Sequence, residues 1–480
     1  MHYRPTIGLE IHAELKTRTK MFCGSANDPD ETRPNVNVCP ICLAHPGTLP
    51  VINREAVRHI LRIGEAVGGA RADFTEFDRK SYFYPDIPKG YQISQYEHPL
   101  IIGGTLAGVA LTRVHLEEDT ARSIHSGGKS LVDFNRAGIP LMELVTEPVI
   151  RDAETAGRFA RELQLLLRTL GASEANLEKG EMRIEANISV SHQLGLNQSE
   201  GLVGRTRSSD ERVLGTKVEV KNLNSFRSVE RAIAYEIERQ KKLIESGEKV
   251  EQETRGWDEA KQQTFHQRFK EGSADYRYFP EPDLPKIYLS EMPEFFADVI
   301  RASLPELPSA RRARYVQLGL KAEDAEFIVA SIARGTFFDA VVKEFGGVRE
   351  PSMLAANYFI SDLAGEPGNT SPTAFAKLIR LVSAQDLSSR GAKDTLAILA
   401  EKGGYPEEIA REYGFMQVHD AEVLRNVVKG ILAGEAKAVE EYRAGKEAAL
   451  QYLIGKCMKE TKGAGNPEIL KNLIIEEIGG

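Results

Sequence analysis

Alternation of apolar and polar positions dominates the first part of the chain. In "IGLEIHAELKT" (7–17), Ile7, Leu9, Ile11 and Ala13 alternate with Gly8, Glu10, His12 and Glu14. A strand sends successive side chains to opposite faces, so this pattern predicts a strand with one apolar face and Glu10, His12 and Glu14 in a row on the other. Such a row suits a water-facing sheet surface. It equally suits a metal or catalytic floor, which needs partners elsewhere in the chain. Further strand signals fall at 103–118, 182–192 and 216–222, amid Gly, Pro, Asn and Asp punctuation that continues to about residue 290. Helical spacing is rarer there but clear. Phe159, Leu163, Leu166, Leu167 and Leu170 predict a helix from about Ala153 to Leu170. A second helix is predicted after Ser228 as N-cap, with Val229, Ile233 and Ile237 at four-residue spacing and a stop near Gly247.

This is an α+β pattern, with a mainly antiparallel sheet rather than strict βαβ alternation. "DYRYFPEPDLP" (275–285), with three prolines, reads as extended chain closing the mixed region. Beyond about 293, helical periodicity takes over, as in "EDAEFIVASIARG", and a further break falls at "EKGGYPEE" (401–408). The expected organisation is therefore a large mixed domain over 1–293, an all-α domain over 294–404 and a small all-α tail over 405–480.

Composition narrows the function. A chain of 480 residues has room for about two to four domains. No apolar run approaches the roughly 18 residues a membrane helix needs, and no leader pattern opens the chain, which predicts a cytoplasmic protein with no membrane partner. A net charge of −8 means that any nucleic acid must be met by a local basic groove. Cys23, Cys39 and Cys42, with a C-x-x-C spacing and His45 just beyond, offer a zinc set; they serve equally as reduced thiols, since three sulfurs do not fill a tetrahedral site.

Familiar nucleotide signatures are missing. "SGGKS" (126–130) fails as a P-loop because Ser123 stands where the first glycine belongs, and "GGTLAG" (103–108) has Thr105 in place of a glycine. Polar clusters remain. "HLEED" (115–119) holds His115, Glu117, Glu118 and Asp119. Arg183, Glu185 and Asn187 alternate along one strand, and Lys217, Glu219 and Lys221 along another. "KSYFYPDIPKGYQISQY" (80–96) interleaves aromatics, Tyr82 and Tyr84 among them, with Lys80 and Lys89. Aromatics between cations can stack bases and hold phosphates. They also occur as ordinary packing. Taken together, several strands with one charged face each suit metal-assisted phosphoryl transfer on an open sheet.

"LVDFNRAGIPLMELVTEP" (131–148) closely resembles the signature of the B subunit of the tRNA-dependent amidotransferase, the GatCAB complex. "IGLEIHAELKT", "YFYPDIPKGYQISQY", "HLEEDTAR", "KNLNSFRSVERAIAYEIERQ", "ETRGWDEAK", "DYRYFPEPDLP", "VEEYRAGK" and "MKETKGAGNPEILKNLI" resemble that family too, in its order and spacing, over essentially the whole chain. The resemblance implies a cradle domain that binds ATP and the charged 3′ end of tRNA, a helical domain, and a YqeY-like tail that grips the tRNA body. It implies a glutamine-dependent ligase working with an A (glutaminase) and a C subunit as a heterotrimer. The implied reaction phosphorylates the side-chain carboxylate of misacylated Glu-tRNA(Gln) or Asp-tRNA(Asn), and ammonia then displaces the phosphate.

By resemblance, Glu10 and His12 look like the floor of a Mg2+ site completed by Glu185 and by Glu118 in preference to Glu117; strand parity leaves that choice open, since a bulge would swap their faces. Mn2+ is possible, because magnesium prefers oxygen ligands and His12 offers nitrogen. Tyr82, Tyr84, Lys89, Arg183, Lys217 and Lys221 are the expected nucleotide and tRNA contacts. In the tail, Lys456, Lys459 and Lys462 at three-residue spacing form a cationic helix edge. Family members often carry a second cysteine where Ser25 stands, which leaves Zn2+ open between Cys23, Cys39, Cys42 with His45 and no metal at all.

Overall fold

The computed structural model describes residues 2–193, 214–269, 276–418, 420–461 and 463–479. They fall into two compact units, Met1–Leu307 and Pro308–Gly480. The first unit is α+β, as the sequence predicts. Its centre is a 13-stranded sheet. Five strands in spatial order form the middle of it: Val218–Lys221, Met182–Gln193, His2–Glu14, Pro140–Thr146 and Val109–Glu118. All four pairings between them are antiparallel.

The sheet is one-sided. Ile7, Leu9, Ile11 and Ala13 are at most 1% exposed and share a core with Ile184, Ile188, Val220 and Leu144. The helices Ala153–Thr169 and Phe226–Glu245 bring Phe159, Leu163, Leu166, Val229, Ala232 and Ile233 to that core. Each large aliphatic side chain taken from water there contributes about 1.5–3 kcal/mol. The polar residues between them are thereby forced onto the opposite face.

Several boundaries differ from expectation for local reasons. The Phe226–Glu245 helix starts earlier than predicted, because Ser225 rather than Ser228 caps it: the Ser225 hydroxyl accepts the Ser228 N–H at 3.0 Å. The segment 103–118 is a hairpin, Thr105–Leu106 and Val109–Glu118, turned by Ala107 and Gly108 at φ of 49° and 79°. "SGGKS" is also a hairpin turn: Gly127 and Gly128, both at positive φ, join Arg122–Ser126 to Lys129–Asp133. The first unit runs past 293 to Leu307, since Phe295 and Ile300 bury in the same core as the sheet.

The second unit is helical from Pro308 to Gly479 among its described residues. Its last part has an apolar cluster of Leu424, Val428, Leu453, Leu470 and Ile474, all buried. No helix among the described residues is long and apolar enough to cross a membrane.

Candidate active site

Register decides which side chains meet. Arg183 stands opposite His12, His12 opposite Glu143, and Glu143 opposite His115, so one row crosses four strands. Glu10 stands opposite Glu185 in the next row. Glu117 lies two residues beyond His115, and the ladder from His115 to Glu118 pairs without a shift. It therefore shares the face of His115, and Glu118 takes the other.

The row is a contact cluster. His12 Nε2 lies 3.3 Å from Glu117, 3.5 Å from Glu143 and 4.0 Å from Glu10. His115 Nε2 lies 3.3 Å from Glu143. Two groups of metal-capable ligands result, Glu10–His12–Glu143 and His115–Glu117–Glu143, sharing Glu143. Cations surround them. Arg183 donates to Asp119 at 2.8 Å, and Lys221 lies 2.8 Å from Glu185. Tyr96 and Tyr278 stack with centroids 4.1 Å apart, and Lys80 sits over Tyr276 at 5.0 Å. The whole forms the floor and rim of an open cavity of about 930 Å3.

The electrostatics are those of a site built to receive charge. Burial pushes the Glu10 carboxyl up, and the neighbouring Glu143 adds to that. Burial alone would depress His12, but its hydrogen bonds to Glu117 and Glu143 outweigh it and hold the imidazole well above its ordinary value. Burial likewise works against ionised Glu143, yet His115 and His12 hold it well below the usual range. The Asp119 carboxylate beside Arg183 raises that guanidinium further. His115 Nδ1 and Asn187 Oδ1 are buried with no hydrogen-bond partner, two polar atoms left for a ligand to satisfy.

Of the residues singled out in the sequence, Glu10, His12, Glu185, Tyr82, Tyr84, Arg183, Lys217 and Lys221 all line this cavity. Glu118 and Lys89 do not. Glu118 Oε1 pairs with Lys89 at 2.7 Å and accepts the Ile93 N–H at 3.0 Å, on the side of the sheet away from His12. The preference for Glu118 is thus corrected to Glu117: no bulge swaps their faces. Glu143, Tyr276 and Tyr278 also line the cavity, outside the set singled out in the sequence, as do His115 and Glu117 of "HLEED", the second of which the sequence offers as the alternative to Glu118. Glu143 sits in "PLMELVTEP", a mostly apolar stretch, and its register against His12 brings it into the row.

Away from the cavity, Cys23, Cys39 and Cys42 converge, while His45 stands outside that ligand group. Cys42 Sγ is 3.8 Å from Cys39 Sγ and 3.9 Å from the Ser25 hydroxyl. Lys20, fully buried, faces the three sulfurs. In the second unit, Lys456 pairs with Glu435 at 2.6 Å and Lys459 is exposed. Lys462 lies outside the described residues.

The chain also matches known proteins along its length. Residues 5–293 match the family model described as the GatB/GatE catalytic domain, and residues 336–478 match one described as a GatB domain. The B subunit of the aspartyl/glutamyl-tRNA(Asn/Gln) amidotransferase of Thermus thermophilus is 43% identical over 490 residues, 99% of each chain. The B subunit of the same name from Synechocystis is 40% identical over 98% of this chain and 97% of its own. The chloroplastic/mitochondrial glutamyl-tRNA(Gln) amidotransferase B subunit of Ostreococcus lucimarinus is 40% identical over 100% of this chain and 97% of its own. Two family models along the chain and relatives matched from end to end leave one conclusion: the chain belongs to the family of tRNA-dependent amidotransferase B subunits.

Proposed function

We propose that the sheet cavity phosphorylates the side-chain carboxylate of misacylated Glu-tRNA(Gln), Asp-tRNA(Asn) or both, and then hosts its amidation. The observation that carries this reading is the row of Glu10, His12, Glu143, His115 and Glu117 facing Arg183, Lys80 and Lys221 across one open cavity. A carboxylate is a poor acceptor for ammonia because oxide would have to leave. Transfer of the γ-phosphoryl group forms the acyl–oxygen–phosphorus link and releases ADP. Ammonia then adds to the carbonyl carbon, phosphate departs with the proton that ammonia sheds, and Gln-tRNA(Gln) or Asn-tRNA(Asn) remains.

The chain's own groups suit these steps. Lys80, Arg183 and Lys221 neutralise phosphate oxygens. Tyr82, Tyr84, Tyr96 and Tyr278 offer faces for the adenines of ATP and of the tRNA end. The carboxylates Glu10, Glu117 and Glu143 with His12 and His115 fit Mg2+, or Mn2+ where nitrogen ligands enter. A divalent cation there would supply charge stabilisation for the phosphoryl oxygens. The ammonia comes from a glutaminase A subunit, with a C subunit completing a cytoplasmic heterotrimer; that the relatives are named as B subunits supports a multi-subunit assembly.

The three thiols do not make a closed zinc site. A structural site takes four ligands, and His45 does not join. We therefore read them as reduced cysteines, beside a buried Lys20 that donates to the Phe134 carbonyl at 3.1 Å. Elemental analysis of chelator-free protein should find no stoichiometric zinc; about one zinc per chain would contradict this.

The decisive experiment for the reaction is ADP formation by the assembled complex with ATP and charged tRNA. It should require misacylated Glu-tRNA(Gln) or Asp-tRNA(Asn). A chain that only binds tRNA would bind both and form no ADP.

A further inference from the structure

Three thiols of the first unit take no part in the catalytic cavity. Cys23, Cys39 and Cys42 bring their sulfurs within 4.8 Å of one another, and all three are free. The polar neighbour of Cys42 at 3.9 Å is the Ser25 hydroxyl, which adds no fourth sulfur. Thiols gathered in this way have a chemistry of their own, oxidation. Within the set, Cys39 and Cys42 are the close pair. "CPIC" runs as a turn, in which the Leu43 N–H donates to the Cys39 carbonyl at 3.1 Å and the Ala44 N–H to the Ile41 carbonyl at 3.0 Å. The turn sets Cys42 Sγ 3.8 Å from Cys39 Sγ. Cys23 approaches from a separate stretch of chain.

The thiolate, not the thiol, is the nucleophile in such chemistry. Cys42 Sγ accepts the Cys39 N–H at 3.0 Å, and the side chain of Lys20 bonds the same sulfur; both donors favour the anion. Cys42 is 5% exposed, which shields it from bulky reagents. It nonetheless lines a depression of about 270 Å3, together with Cys23 and Lys89. That space is several times what a molecule the size of water occupies. A small polar oxidant therefore reaches the sulfur.

We propose that Cys39 and Cys42 close a reversible disulfide when the chain meets hydrogen peroxide, so that this turn is a redox-modification site. The Cys42 thiolate attacks one peroxide oxygen. The O–O bond breaks, and the departing hydroxide takes up the proton that the Cys42 thiol released, giving water. The Cys39 sulfur then attacks the sulfur of the resulting sulfenic acid. The S–O bond breaks, and hydroxide leaves with the Cys39 proton as a second water. Two thiols are oxidised, and one peroxide is reduced to two waters. Closure brings the sulfurs from 3.8 Å to a bond of about 2.05 Å. An external thiol reopens the bond by exchange. The inference needs nothing from the reaction proposed for the catalytic cavity.

The test uses the full wild-type chain, reduced and then freed of reductant. After a small excess of hydrogen peroxide, thiols counted in denaturant should fall from four to two. The peptide carrying Cys39 and Cys42 should be lighter by two hydrogens, and dithiothreitol should restore both thiols. Cys23→Ser should still lose two thiols. Cys23→Ser combined with Cys39→Ser should stop instead at a sulfenic acid on Cys42, trapped by dimedone. Four thiols surviving in the folded wild type would overturn the site, as would zinc retained on the sulfurs against peroxide. A disulfide from Cys23 to either of the others would overturn the pairing.

Discussion

Two neighbouring carboxylates in "HLEED" have opposite surroundings. Glu117 touches His12 at 3.3 Å in the cavity, and Glu118 is bound to Lys89 at 2.7 Å on the other side. Their substitutions should therefore separate cleanly. Glu117→Gln should reduce tRNA-dependent ADP formation by orders of magnitude and raise the divalent-ion concentration needed for half-activation. Glu118→Gln should leave that ion dependence at its wild-type value. It should instead destabilise the fold by about 1–3 kcal/mol, since the half-buried Lys89 loses its charged partner; thermal or denaturant unfolding measures this. Equal ion dependence in both variants would refute the assignment. Sequence alone could not make this choice, because parity along an isolated strand is blind to bulges. Glu10 and His12 were legible because their strand alternates without interruption.

At the scale of the element, two substitutions test why the polar row exists. Ile11→Ala, at a fully buried position on the back of the row, should cost about 2–5 kcal/mol through the cavity it leaves. Ser225→Ala should cost about 1 kcal/mol by removing the cap of the Phe226–Glu245 helix, whereas Ser228→Ala leaves that cap in place. Both are read by denaturant unfolding. Elements with a sustained period were legible in the sequence: the helix at 153–169 and the strands around Glu10, Arg183 and Lys217. What escaped was set by partners far along the chain. Glu143 looks like core until His12 and His115 stand beside it on neighbouring strands. Turn chemistry also escaped, since "LAG" at 106–108 breaks what reads as one continuous strand. The motif that looked most like a phosphate loop, "SGGKS", is a hairpin tip whose glycines serve the turn.

For the whole molecule, the proposed chemistry falls to the first unit, which matches the family's catalytic domain, and the proposed tRNA affinity to the tail. Ile409 and Ala410 are buried in a helix that packs on its neighbours in the second unit, so a truncation is better placed after Val418 than at 405. Removing the tail beyond Val418 should raise the KM for tRNA and flatten its salt dependence, because phosphate contacts by groups such as Lys459 are lost. The kcat at saturating tRNA should be retained. Lys456 should contribute less than Lys459, as Glu435 already holds its ammonium at 2.6 Å. The central claim is that the row of carboxylates and imidazoles activates the aminoacyl carboxylate. Its most direct measurement is the rate of ADP formation by the assembled complex with misacylated tRNA, for wild type and for Glu10→Gln. The rate should fall by orders of magnitude in the variant while glutamine hydrolysis by the A subunit continues; an unchanged rate of ADP formation in Glu10→Gln would contradict it.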